Sequence, residues 1–160
     1  RHTRFKCDWS SDVCSSDLRF RHLEIVNIVT ISLFPDMFDG VLNTSMLKKA
    51  QDIKAVRFEH IDLRDFGLGP RKQVDDTPYG GGDGMVLRPE PIVAAIEQAK
   101  AKYPGAIILL PTPRCELFDQ ATANQMAQDP KDLIIVCPRY EGYDERITDR
   151  KSTRLNSSHT

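Results

Sequence analysis

Few of the usual chemical handles are present in this sequence. Four cysteines, Cys7, Cys14, Cys115 and Cys137, are spread over 160 residues. No two have zinc-ligand spacing, and the number is low for a disulfide scaffold, so no metal site is expected. No apolar run approaches the roughly 20 residues that span a bilayer. The first 20 residues lack the apolar stretch of a secretory signal. A cytoplasmic protein with no membrane partner is the expectation. The formal net charge is -1, so the basic excess that marks many nucleic-acid binders is missing. A role on RNA would have to be read from motifs. No Gly-Lys-Ser/Thr phosphate loop is present, and no glycine fingerprint links a clear strand to a helix. What is present is 40% hydrophobic and 28% charged residues, the balance of a globular domain with a core.

The two ends carry no pattern. Residues 1 to 20 repeat Ser-Ser-Asp without apolar periodicity, and Arg150 to Thr160 are polar and equally pattern-free. Both resemble translated sequencing-adapter strings, and the plainer alternative is a pair of disordered termini. Residues 1–20 and 150–160 are therefore set apart as non-native or disordered tails. Residues 24–149 are expected to form one partial domain, with the natural protein continuing past Asp149.

Between the tails, strands and helices alternate. Glu24 to Phe34 is rich in Ile and Val and predicts a strand. Pro35 opens a short helix carrying Met37, Phe38, Val41 and Leu42, and Ser45 to Ala50 predicts another helical turn. Val56 to Leu63 alternates with one slip and predicts a strand. Arg64 to Leu87 holds six glycines and two prolines and predicts a long loop, a feature that in compact domains is usually functional or mobile. Pro89 to Lys102 predicts a helix with Ile92, Val93, Ala95, Ile96 and Ala99 inward. Ala106 to Leu110 and Leu133 to Cys137 are apolar at every position, as strands covered on both faces are. Asp119 to Gln128 predicts a capped polar helix, and Asp144 a cap for a helix from Glu145. The fold class is α/β, a mainly parallel sheet with helices on both faces. In such sheets ligands bind outside the carboxyl ends of the strands. That singles out the loops Pro111-Thr112-Pro113-Arg114-Cys115 and Pro138-Arg139-Tyr140-Glu141-Gly142.

Three segments carry candidate chemistry. Asp75 to Met85 places four glycines within Gly80 to Gly84; absent Cβ atoms permit close backbone approach to a ligand, or simply a flexible surface loop. Arg139 to Arg146 gathers an aromatic ring, carboxylates and guanidinium groups around Gly142. The ring can stack on a purine and a carboxylate can hold an ammonium or ribose hydroxyls; a charged turn leading into a helix is the plainer reading. Thr112-Pro113-Arg114 follows a buried strand, where proline is often only a stop. Of the four histidines, His60 lies in a strand-like run and is expected to be structural.

Taken in order, Ile31 to Phe38 is similar to the run ISLFPEMF, Asp75 to Met85 to DDxPYGGGxGM, and Arg139 to Arg146 to RYEGxDER. The set resembles the bacterial tRNA (guanine-N1)-methyltransferases of the trefoil-knot methyltransferase class. The resemblance implies an incomplete trefoil-knot domain corresponding to the N-terminal part of such an enzyme. It implies methyl transfer from S-adenosylmethionine to N1 of the guanosine just 3′ of the anticodon in tRNA, by a homodimer. It places Leu110, Pro111, Thr112 and Pro113 on one side of the donor's adenosine and Pro138, Tyr140, Glu141 and Gly142 on another, with Glu141 facing the methionine ammonium. It puts Tyr79, Gly80, Gly81, Gly82, Gly84 and Met85 beside the guanine. Two positions depart from the pattern: Cys115 and Pro138 stand where the family has glycine, and Pro138 lacks the N–H that would meet the donor. The family's base is an aspartate beyond this segment. No catalytic residue is therefore assigned within these residues, neither Asp76 nor Glu141, and the fragment is expected to be inactive. Two other readings stay open: a non-catalytic RNA- or partner-binding α/β domain, and an unrelated nucleotide-binding α/β enzyme.

Overall fold

The structure, a computed structural model, describes residues 25–78, 81, 84–112, 117–142, 144 and 147, and the backbone of 153–155. Five parallel strands form the main sheet: β1 (Val26–Ser32), β2 (Val56–Asp62), β5 (Ile107–Pro111), β6 (Leu133–Val136) and β7 (Thr153–Leu155), in the order β2-β1-β6-β5-β7. A separate antiparallel pair joins β3 (Asp75–Asp76) to β4 (Val86–Leu87). The helices are α1 (Asp39–Leu42), α2 (Ser45–Asp52), α3 (Pro89–Lys102) and α4 (Gln120–Gln128), with 3-10 turns at Pro35–Phe38 and Leu63–Phe66.

β1 is the central strand because its run of Val, Ile and Thr suits a pleated, doubly covered surface. Val29, Thr30, Ile31 and Ser32 are all buried, so side chains on both faces are shielded from water. On one face, Val29 and Ile31 share a core with Ile108, Leu110, Ile134 and Val136 from the neighbouring strands. α3 closes that face with Ile92, Ala95 and Ala99, spaced to lie on one stripe of the helix. On the other face, Thr30 Oγ1 lies 2.6 Å from His60 Nδ1, and the His60 ring stacks on Phe38 with centroids 5.4 Å apart. His60 is thus held in the packing, as expected of a structural histidine.

The helix α3 begins on Pro89, whose missing N–H costs nothing in a first turn. Its far end is tied to β2. Lys102 Nζ lies 2.7 Å from both Glu59 carboxylate oxygens, and the Tyr103 hydroxyl donates to Glu59 at 2.6 Å. These partners hold the Glu59 carboxyl below its ordinary range, Lys102 first and Tyr103 second. α4 is capped by Asp119, which accepts from the Thr122 backbone N–H and hydroxyl, both at 2.8 Å.

The stretch from residue 64 to 87 is more ordered than its composition suggests. It holds the Leu63–Phe66 turn, a bridge between Leu68 and Gln73, and the β3–β4 hairpin. Val74 and Leu87 belong to the core, and these two isolated apolar residues anchor the segment. Thr153–Leu155 lie in the stretch 150–160 set apart above as a tail, and their backbone runs parallel to β5. A strand edge presents unpaired N–H and C=O groups that an extended segment can meet. Among the described residues no helix is long and apolar enough to cross a membrane. Several apolar side chains of the first helical region are exposed, including Met37, Val41 and Met46.

Two outcomes follow from this packing. Ile92→Ala, at a fully buried position, is expected to cost about 2–5 kcal/mol in urea unfolding, whereas Met46→Ala on the exposed face should change stability by less than about 0.5 kcal/mol. Because the folded Glu59 carboxyl titrates below its unfolded value, its stabilising effect is present above the unfolded pKa near 4.5. It is lost as pH falls through the folded value. Glu59→Gln should therefore narrow the stability gap between neutral and acidic pH, read as Tm across a pH series.

Candidate functional site

The carboxyl ends of β1, β6 and β5 lie side by side. β5 and β6 pair in register, Leu109 opposite Ile135, so Leu110-Pro111-Thr112 and Cys137-Pro138 leave the sheet as neighbours. Leu110 is fully buried at this edge, and Pro111 and Thr112 are half-buried. The Cys137 N–H donates to the Ile31 carbonyl at 2.9 Å, which carries the β1–β6 pairing one residue further. The Cys137 thiol is pushed up from its ordinary pKa by burial, which keeps it protonated and unreactive.

Beyond Pro138 the chain makes a tight turn, closed by the Gly142 N–H donating to the Arg139 carbonyl at 3.2 Å. Tyr140 has a φ of 59° and Gly142 a φ of 111°. Glycine accepts that region freely; a tyrosine there costs about 1–2 kcal/mol. Strained backbone of this kind collects at ligand sites when surrounding bonds hold it in place. Those bonds come from the glycine-rich segment. The Glu141 N–H donates to the Met85 carbonyl and the Leu87 N–H to the Gly142 carbonyl, both at 3.0 Å. The Asp144 N–H reaches the Leu87 carbonyl at 3.4 Å.

Gly84 explains how the two segments come so close. Its φ is 115°, and a Cβ there would lie 2.9 Å from Glu141 Cγ. The Glu141 stem occupies the space a side chain would need. The base of the glycine-rich segment is fixed by β3 and β4, by the Arg88 N–H donating to the Val74 carbonyl at 2.9 Å, and by Arg88 pairing with Asp76 and Glu90 at 3.5 and 3.4 Å. Asp76 is therefore spoken for by a cation and by the Thr77 N–H.

The third motif arrives at the same edge. Phe34 follows β1, and its ring lies 5.3 Å from the Arg139 guanidinium and 5.7 Å from that of Arg64. Arg64 follows β2. This cluster was not singled out by the sequence; an arginine two residues past the end of β2 and another three past the end of β6 were the only signal. Of the site residues named from sequence, Leu110, Pro111, Thr112, Pro138, Tyr140, Glu141, Gly142, Gly81, Gly84 and Met85 lie at this edge or in the hairpin joined to it. Tyr79, Gly80, Gly82 and Pro113 lie outside the described residues, as do Cys115 and Glu145, where a helix was expected to begin. A shallow cleft of about 230 Å³ near Val26, Ala106, Pro130 and Asp132 opens at the amino ends of the strands, the opposite edge of the sheet. Among the described residues no three His, Cys, Asp or Glu side chains gather as a metal would require.

A parallel sheet whose carboxyl-edge loops are laced to a glycine-rich hairpin defines an α/β domain of the class that receives ligands at that edge. Residues 26–158 match the family model described as tRNA (Guanine-1)-methyltransferase TrmD, and the chain belongs to that family. It is 50% identical over 117 residues to the tRNA (guanine-N(1)-)-methyltransferase of Myxococcus xanthus, covering 73% of this chain and 47% of the relative. It is 49% identical over 122 residues to that of Geobacillus kaustophilus, covering 76% and 50%. The chain thus spans about half the length of these curated relatives. The crystal structure of the tRNA (m1G37) methyltransferase from Aquifex aeolicus superposes with a TM-score of 0.76 at 31% identity, covering 86% of this chain and 62% of the other.

The joint between the two segments is directly testable. Gly84→Ala should lower stability by about 1–2 kcal/mol through its backbone angle, and should displace Glu141. Combined with Glu141→Ala, the steric part disappears and the angular cost alone remains, read as a non-additive double-mutant cycle in urea unfolding.

Proposed function

We propose that this chain carries part of the methyl-donor site of an enzyme that methylates N1 of the guanosine 3′ of the anticodon in tRNA. The observation that carries the reading is the backbone lacing of Met85 and Leu87 to Glu141 and Gly142, beside a second loop leaving the adjacent strand. In this reading the two proline-marked loops are the walls of a donor crevice and the glycine-rich hairpin borders it. Pro111 and Thr112 supply one wall, on the buried base of Leu110. Pro138, Tyr140, Glu141 and Gly142 supply the other.

S-adenosylmethionine, when bound, supplies an electrophilic methyl group on a sulfonium. The residues present fit it. The half-exposed Tyr140 ring is an aromatic face for adenine. The exposed Glu141 carboxylate is a partner for the methionine ammonium. Gly81, Gly84 and Met85 of the glycine-rich segment border the guanine in this reading. Guanine N1 carries a proton at neutral pH, so forming the N1–methyl bond requires a base to take that proton, a contribution of typically 10²–10⁴-fold. Asp76 is paired with Arg88 and Glu141 belongs to the donor wall; neither is that base. No described residue is assigned that role. In the whole enzyme the reaction is carried out by a homodimer in the cytoplasm; this chain by itself is expected to show no transfer.

Isothermal titration of S-adenosylmethionine into the chain tests the crevice. Pro138→Gly restores a backbone N–H and is expected to tighten binding about 3–10-fold, the size of one hydrogen bond, while Tyr140→Ala weakens it. Donor affinity indifferent to both substitutions would overturn the assignment. Tritium transfer from labelled donor to tRNA is expected to stay at background for this chain.

A further inference from the structure

The Phe34 cluster is not accounted for by the donor crevice. Its three residues come from the carboxyl ends of three adjacent strands: Phe34 after β1, Arg64 after β2, Arg139 after β6. β1 leads to β2 on one side, whereas the strand after β6 lies beyond β5 on the other. The cluster therefore sits where the connections diverge, the place in open parallel sheets where ligands are received.

The charge arrangement is unusual for a chain of net charge -1. Two guanidinium groups converge on one ring, at 5.3 and 5.7 Å from its centroid. Both arginines are exposed. Among the described residues the ion pairs engage Lys72, Arg88, Lys102 and Lys131, and neither Arg64 nor Arg139 meets a carboxylate. An exposed ring attracts each guanidinium by only about 0.5–1 kcal/mol and leaves its charge in place. The backbone that carries the ring is held: the Phe34 N–H donates to Ser32 Oγ at 3.1 Å, and its carbonyl accepts from the Met37 N–H at 3.2 Å. Contact with an aromatic ring orients a planar guanidinium while leaving N–H groups at its rim for a partner. That partner should be a doubly bonded anion of fork geometry, for which arginine is better suited than lysine.

We propose that Arg64 and Arg139, mounted on Phe34, form a phosphodiester-binding subsite that seats the RNA backbone beside the crevice. The proposal rests on the reading of the crevice as a site acting on RNA. It supplies what the overall charge does not: a local basic point where a polyanionic strand is held while a base enters the glycine-lined side. The donor's single carboxylate is the other anion at this edge, but one carboxylate does not call for two arginines from separate strands.

Fluorescence anisotropy of a labelled synthetic anticodon stem-loop RNA, titrated with the 160-residue chain over a salt series, tests it. Arg64→Gln and Arg139→Gln are each expected to reduce the slope of log Kobs against log salt by about 0.7–0.9, the value of one phosphate contact. Arg64→Lys and Arg139→Lys should largely restore the slope, which separates charge from folding. Arg57→Gln, an exposed arginine at the other end of β2, is the control and should leave it unaltered. Failure of the chain to bind the RNA, or Gln variants with the parental slope, would overturn the subsite. A parental slope with weakened S-adenosylmethionine binding would reassign the arginines to the donor. Conversely, a reduced slope in a chain that binds no donor would remove the methyl-donor reading and leave the subsite standing.

Discussion

The site depends on one set of main-chain hydrogen bonds, those that fasten residues 85–87 to residues 141–144. Without them the glycine-rich segment and the turn after β6 would be independent loops, each paying its own ordering entropy. With them, the segment becomes an extension of the sheet. The bonds at Glu141 and Gly142 hold Tyr140 in a backbone conformation that tyrosine avoids, and the hairpin β3–β4 passes that rigidity back to Val74 and Leu87 in the core. Buried apolar contacts far from the edge thereby set the position of exposed polar groups on it.

How much of this was readable beforehand varied with the physical range of the signal. Pro89–Lys102 was legible to the residue, because proline at its start and a small apolar stripe are local features. The runs around Ile107–Pro111 and Leu133–Val136 announced doubly covered strands, since burial on both faces leaves no polar alternation. The α/β class followed from their alternation with helices. The β3–β4 pair was not legible. Two-residue strands have no period to detect, and Asp75-Asp76 owes its extended form to partners ten and more residues away.

The site was legible in outline for a similar reason. Turn residues after apolar pentads marked the two loops that leave the carboxyl edge, and resemblance attached a chemistry to them. What the sequence could not convey was which loops touch. Arg64 and Arg139 are 75 positions apart in a chain of 160, and nothing local in either says that they share a ring. Likewise the glycine at position 84 reads as mere flexibility until the stem of Glu141 is seen beside it. The family's shared motifs are thus three parts of one contact surface rather than three separate signatures.

That contact makes positions 84 and 141 one steric unit. A side chain added at 84 would meet the stem of Glu141, so the acid of one motif keeps its place only while the other motif keeps a bare backbone.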